Sequence, residues 1–217
     1  MWRIQAEGVS ILGEFLQDCR AKAGEGCDTV LLSGEDFENA IVDLTLASEI
    51  ETLARDIGFS EVIWVVVDRD KHDYAASIYA EMSRHGVVLQ RSVVAEALKK
   101  RGCLYVSTHN FNYIFALDFA RFKERFRASL NGELVEYSMN DFVADRPGSI
   151  LLKRLMTQSR YEEFMATAEF STEVANQRIS SRKVEKNYLA TALNLTAIRR
   201  RIFPWNPIVA LLATLRS

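Results

Sequence analysis

The fold prediction rests on one segment, EVIWVVVDRDKHDYAASIY at residues 61–79. It opens with an unbroken apolar run at 62–67, and a short run rich in β-branched side chains is typical of a buried parallel strand. The charged break at 68–70 ends the run, and a helical pattern follows it. Open α/β sheets bind ligands where a parallel strand ends and the next helix begins. We therefore expect a ligand site at the end of this strand.

Two side chains in that segment suit an anion. Arg69 offers a planar fork of N–H donors at the end of the strand, and Ser77 offers a hydroxyl on the first turns of the helix. The two can converge on one phosphate near the positive end of the helix. Structural roles stay open for both, because Arg69 can pair with a neighbouring aspartate and Ser77 can be an ordinary helix serine.

The order strand, Arg69, seven residues, Ser77, any residue, Tyr79 resembles the element with which sulfotransferases hold the 3′-phosphate of their sulfate donor, PAPS. Residues 29–37, TVLLSGEDF, are similar to a strand, Ser, small residue, Glu, any residue, Phe segment of bacterial sulfotransferase-like proteins. Residues 132–137, GELVEY, fit a late strand of the same group. The resemblance implies that Arg69 and Ser77 bind the phosphate of PAPS or of adenosine 3′,5′-bisphosphate.

The C-terminal part carries a further likeness. Asn176 and Ser180, followed by Leu193 and Asn194, resemble the Asn-x-x-x-Ser and Leu-Asn tail of these proteins. The order of all the segments, rather than any one of them, carries the resemblance. It implies an α/β fold of three layers, with a mostly parallel sheet flanked by helices, and sulfuryl transfer to an acceptor that the sequence does not identify.

The sulfotransferase pattern is incomplete in this sequence. The family's first strand leads into a loop of the Lys-x-Gly-Thr-Thr type, whose backbone N–H groups and lysine grip the 5′-phosphosulfate. The only comparable glycines, Gly24 and Gly26, flank Glu25, and an acidic loop is a poor cradle for an anion. We expect the fold to lack this first strand and loop, and the chain to hold only the 3′ end of the donor. The alternative is a non-catalytic binding or assembly module that keeps the fold.

Glu35 and His109 are the candidate catalytic residues. Glu35 stands in a cluster of carboxylates, and crowded carboxylates raise one another's pKa, which suits a general base. Its alternative role is an N-terminal helix charge after a capping Ser33. His109 lies in a polar cluster and can act as a base if a site closes over it. Its alternative role is that of a loop or capping residue.

The periodicity predicts one α/β domain over 1–217, with an N-terminal helix inside 1–27 and a basic, then apolar extension at 199–217. The extension is expected to dock on the core, on a partner protein or on a second copy in a homodimer. The predicted helices lie at 7–23, 47–57, 71–84, 88–100, 112–128, 139–145, 149–169 and 180–200. The predicted strands lie at 28–33, 61–68 and 132–137, and residues 102–106 are expected to form either a short strand or an extended loop.

Composition and charge limit the classes of partner that we expect for this chain. No apolar run reaches the roughly 20 residues that a membrane span needs, and no signal peptide is evident. The three cysteines and three histidines show no metal spacing, which favours reduced thiols in a cytoplasmic protein without a metal. Residues 1–60 hold 12 acids and 4 bases, and residues 146–217 hold 12 bases and 5 acids. The bases are dispersed without interleaved aromatics, so no nucleic-acid partner is expected.

Overall fold

A computed structural model describes residues 8–22, 29–85, 87, 89–107, 112–144, 146–168 and 181–192. These residues form an α/β protein, as predicted, in which helices predominate. The chain divides into two compact units. One comprises residues 1–69 and 102–169, and the other comprises residues 70–101 and 170–217.

The described elements follow one another in this order: α1 (Ser10–Lys22), a 3-10 helix (Glu35–Glu38), α2 (Asn39–Val42), α3 (Leu44–Asp56), β1 (Ile63–Asp68), α4 (Lys71–Arg84), α5 (Arg91–Lys100), β2 (Leu104–Ser107), β3 (Asn112–Phe115), a second 3-10 helix (Phe119–Arg121), α6 (Lys123–Ser129), β4 (Glu133–Ser138), α7 (Met139–Val143), α8 (Ser149–Leu155), α9 (Gln158–Thr167) and α10 (Ser181–Ala192).

The first unit is built on a parallel pair of strands. β1 pairs with β4 in a register that runs from Ile63 opposite Glu133 to Asp68 opposite Ser138. The apolar run at 62–67 thus forms the predicted strand, and the strand predicted at 132–137 is its parallel neighbour. Both carboxyl ends therefore lie side by side at one edge of the sheet.

A buried carboxylate fixes the opposite, amino-terminal edge of that pair. The side chain of Glu51, on α3, is 1% exposed. It accepts hydrogen bonds from Trp64 Nε1 at 2.9 Å, from the amide of Asn131 at 2.8 Å and from the amide of Gly132 at 3.0 Å. A side chain at Gly132 would overlap the carbonyl oxygen of Val62. One glutamate therefore ties α3 to β1 and to the turn that begins β4.

The prediction of a strand at 28–33 is wrong for the described residues of that range. Residues 29–34 form no strand. Val30 and Leu32 instead pack, partly buried, on the apolar cluster that includes Leu12 and Ile50, whereas Leu31 is exposed. The apolar residues do alternate, but the alternating side chains are buried against helices rather than in a sheet, so no partner strand is needed.

The helix predicted at 112–128 is also wrong. Its first residues form β3, antiparallel to β2, and helix resumes only at Phe119. Side chains from the two preceding short helices accept hydrogen bonds from backbone amides in β3 and just after it. Asn39 Oδ1 accepts from the Ile114 amide at 2.9 Å, and Glu38 Oε1 accepts from the Ala116 amide at 2.7 Å. The two-residue spacing of Tyr113 and Phe115 is that of a strand, and these tertiary hydrogen bonds stabilise it.

The remaining predicted elements match more closely. α4 has the predicted bounds, and α1, α3, α5 and α7 lie largely within theirs. The helix predicted at 149–169 is divided into α8 and α9. Within the described part of the chain, the strands form one parallel and one antiparallel pair. No helix of that part is both long enough and apolar enough to cross a membrane.

The second unit packs α4 against α5 and α10. Ile78 and Met82 on α4, Val94 and Leu98 on α5, and Leu189 on α10 are buried. One polar contact and one buried carboxylate accompany this apolar packing. The hydroxyl of Ser83 donates to the carbonyl oxygen of Val184 at 2.7 Å, and the carboxylate of Glu185 is 4% exposed.

Candidate functional site

The carboxyl edge of the β1–β4 pair carries the polar residues that the sequence predicts there. Asp68 lies opposite Ser138, and both are exposed. Ser138 is the N-cap of α7: its hydroxyl accepts from the Asp141 amide at 3.1 Å and donates to Asp141 Oδ2 at 2.6 Å. The end of β4 is therefore used for capping, and the end of β1 carries Arg69, the basic side chain that the sequence assigns to a ligand.

Arg69 directly follows β1 and is exposed. A guanidinium at the carboxyl end of a parallel strand lies where open α/β sheets bind ligands. Its planar donors match the oxygens of phosphate and carboxylate groups. The structure therefore confirms the location that the sequence predicts for Arg69, and its role as a phosphate ligand stays a prediction.

Asp70 works against an anion at this position. It is the N-cap of α4, and its Oδ1 accepts from the amides of His72 at 2.9 Å and Asp73 at 3.0 Å. The hydrogen bonds from the amides of Asp73 and His72 hold the pKa of the Asp70 carboxyl below its usual value. The capping stability that this carboxylate adds is therefore present above the unfolded pKa and is lost as the pH falls through the lowered value. At neutral pH, Asp70 is a negative charge beside Arg69 in the chain.

Ser77 lies about two turns into α4, as the predicted bounds of that helix require. It is the seventh residue of the helix and is exposed. The N–H groups that a helix leaves unsatisfied belong to its first four residues, so Ser77 is beyond them. Arg69 closes the first stretch of one unit, and Ser77 belongs to the other. Their action on one phosphate stays a prediction.

Of the two candidate catalytic residues, one is described only in part and the other lies outside the described residues. Glu35 begins the first 3-10 helix, and only its backbone is described. His109 lies outside the described residues, as do Asn176, Ser180 and Asn194. The neighbouring Glu38 has a structural role on β3, so part of the acidic cluster around Glu35 serves the fold.

The second unit contains an ion pair that sequence reasoning missed, between the buried carboxylate of Glu185 and Arg91, whose side chain is 60% exposed. Glu185 Oε1 accepts from the Tyr79 hydroxyl at 3.2 Å and lies 2.7 Å from a guanidinium nitrogen of Arg91. That guanidinium also lies 5.2 Å from the centre of the Tyr79 ring. The resemblance assigns an aromatic residue to position 79, and here the ring faces the helix packing. The one sequence signal for Glu185 is its place among the apolar positions of α10, Val184 and Leu189.

Ionisation of Tyr79 should destabilise the second unit at alkaline pH. Burial, and then the charge of Glu185, raise the pKa of Tyr79 above its ordinary value of 10.0. A raised pKa means that stability is fully present below the unfolded value and is lost as pH rises through the folded one. We expect the urea midpoint to fall more steeply with pH above 10.0 than in Tyr79→Phe, because the unfolded chain loses the Tyr79 proton at a lower pH than the folded one. Equal pH dependence in the two proteins would contradict this role for Tyr79.

An open groove of about 320 Å³ lies beside α3. Thr45, Glu49, Thr52 and Asp56 line it together with Val9 from the start of α1. Its two carboxylates would repel an anionic nucleotide. The groove is therefore not the place for the phosphate that the resemblance implies.

No family model, curated protein or solved structure matches this chain. Within the residues described above, no three His, Cys, Asp or Glu side chains are grouped as metal ligands. The case for a function therefore depends on the resemblance and on the geometry at the end of β1.

Proposed function

We propose that this chain is a sulfotransferase-like nucleotide-binding protein, in which Arg69 binds the 3′-phosphate of PAPS or of adenosine 3′,5′-bisphosphate. The observation that carries the proposal is the position of Arg69 directly after β1, at the carboxyl end of a parallel pair. The late strand of the resemblance, residues 132–137, is the strand that pairs with β1, which supports the proposal. A sulfotransferase-like fold of three layers, with a mostly parallel sheet between helices, is part of the same proposal.

The fit to a phosphate is partial. Arg69 supplies donors, whereas Asp70 occupies two first-turn amides of α4 and adds a negative charge. We assign no step of sulfuryl transfer to the described side chains. Glu35 or His109 as a general base, and an acceptor for the sulfuryl group, belong to the proposal only if the nucleotide binds.

The capping by Asp70 favours a second candidate function, a non-catalytic binding or assembly module. Here the strand, the polar break and the helix are kept because they build the fold. Asp70 then serves only as a helix cap, and Arg69 only as a surface residue. This candidate predicts that adenosine 3′,5′-bisphosphate does not bind at all.

Replacing Arg69 separates the two candidates. If the site exists, Arg69→Ala should weaken binding of adenosine 3′,5′-bisphosphate by about 1.5–3 kcal/mol, the contribution of a hydrogen bond to a charged group. Isothermal titration calorimetry measures this change. Arg84→Ala is the matched control, because Arg84 lies on the last turn of α4 and pairs with Glu81. Equal losses in both variants, or no loss in Arg69→Ala, would overturn the assignment.

Two further variants in the same titration define the site. Asp70→Asn keeps an N-cap residue and removes the charge, so it should tighten binding several-fold. Ser77→Ala should weaken binding by about 1 kcal/mol if its hydroxyl contacts the phosphate. An effect of Arg69→Ala without one of Ser77→Ala would retain Arg69 and remove Ser77 from the site.

A further inference from the structure

We draw no further inference here: the strongest candidate, the cluster formed by Tyr79 on α4, Glu185 on α10 and the largely exposed Arg91 on α5, consists of side chains that pair with one another, and it accounts only for the docking of α10 already described.

Discussion

Glu51→Ala is expected to lower the free energy of unfolding of the first unit by about 3–5 kcal/mol. The substitution removes the acceptor of three hydrogen bonds, from Trp64 Nε1 and from the amides of Asn131 and Gly132. Each donor would lose a hydrogen bond to a charged group, which contributes about 1.5–3 kcal/mol, and water can replace part of that loss because the three bonds are only partly buried. The loss of side-chain volume adds a cavity.

Urea unfolding followed by far-ultraviolet circular dichroism measures the effect. Glu49→Ala is the matched control, because Glu49 is an exposed residue of the same helix, and its loss should change stability by less than about 0.5 kcal/mol. Glu51→Gln keeps the shape and one acceptor oxygen, so it should fall between the two. A loss in Glu51→Ala no larger than in Glu49→Ala would show that the carboxylate does not anchor the parallel pair.

Glu185→Ala is expected to destabilise the second unit by about 1–3 kcal/mol. Its removal leaves the hydroxyl of the buried Tyr79 without an acceptor, whereas water can solvate the Arg91 guanidinium because that side chain is 60% exposed. Amide hydrogen exchange in α10 and urea unfolding both report this loss. The exposed Lys186, on the same helix, supplies the control Lys186→Ala.

A double replacement tests whether the charge pair itself stabilises the helix contact. Only the carboxylate of this pair is buried, because the Arg91 side chain is 60% exposed. Replacing a buried charge by an apolar side chain of similar volume often leaves stability unchanged or raises it. Glu185→Met combined with Arg91→Met should therefore recover most of the stability that Glu185→Ala loses. A double variant as unstable as Glu185→Ala would mean that the hydrogen bonds of Glu185, and not the loss of its buried volume, dominate this contact.

The central element of the fold could be predicted because its signal is local. An apolar β-branched run, a charged break and an amphipathic helix specify β1, the polar turn and α4 within one short segment. The strand predicted at 132–137, after Asn131 and Gly132, corresponds to the parallel partner β4 at Glu133–Ser138. Helix α4 even has the predicted ends, because Asp70 provides a local N-cap.

The errors arise at residues whose contacts are distant in sequence. Tyr113 and Phe115 are two residues apart, which is the spacing of a strand face and not of a helix face, so the helix prediction misread them. The side chains of Glu38 and Asn39 accept hydrogen bonds from amides in and just after this strand. Val30 and Leu32 alternate like a strand, but they pack on helices. No local pattern contains these long-range contacts, and single-sequence periodicity cannot supply them.

In the candidate site, too, the local features could be predicted and the tertiary contacts could not. The position of Arg69 at the end of β1 followed from the sequence, because the strand and its end are local features. The roles of Glu51 and Glu185 did not, because a lone glutamate on a helix is usually exposed, and only its tertiary partners show that it is buried. The capping role of Asp70, which opposes the proposed ligand, is a detail of hydrogen-bond geometry that the phosphate resemblance did not include.

The most direct test of the proposed function is calorimetric titration of the unmodified chain with adenosine 3′,5′-bisphosphate. The proposal predicts binding with a dissociation constant of about 1–100 μM, equivalent to roughly 5.5–8 kcal/mol, with adenosine 5′-monophosphate binding at least about tenfold more weakly because it lacks the 3′-phosphate. Absence of heat at millimolar nucleotide, or equal affinity for the two nucleotides, would contradict the 3′-phosphate site. In the first case the chain is better pursued as a non-catalytic module.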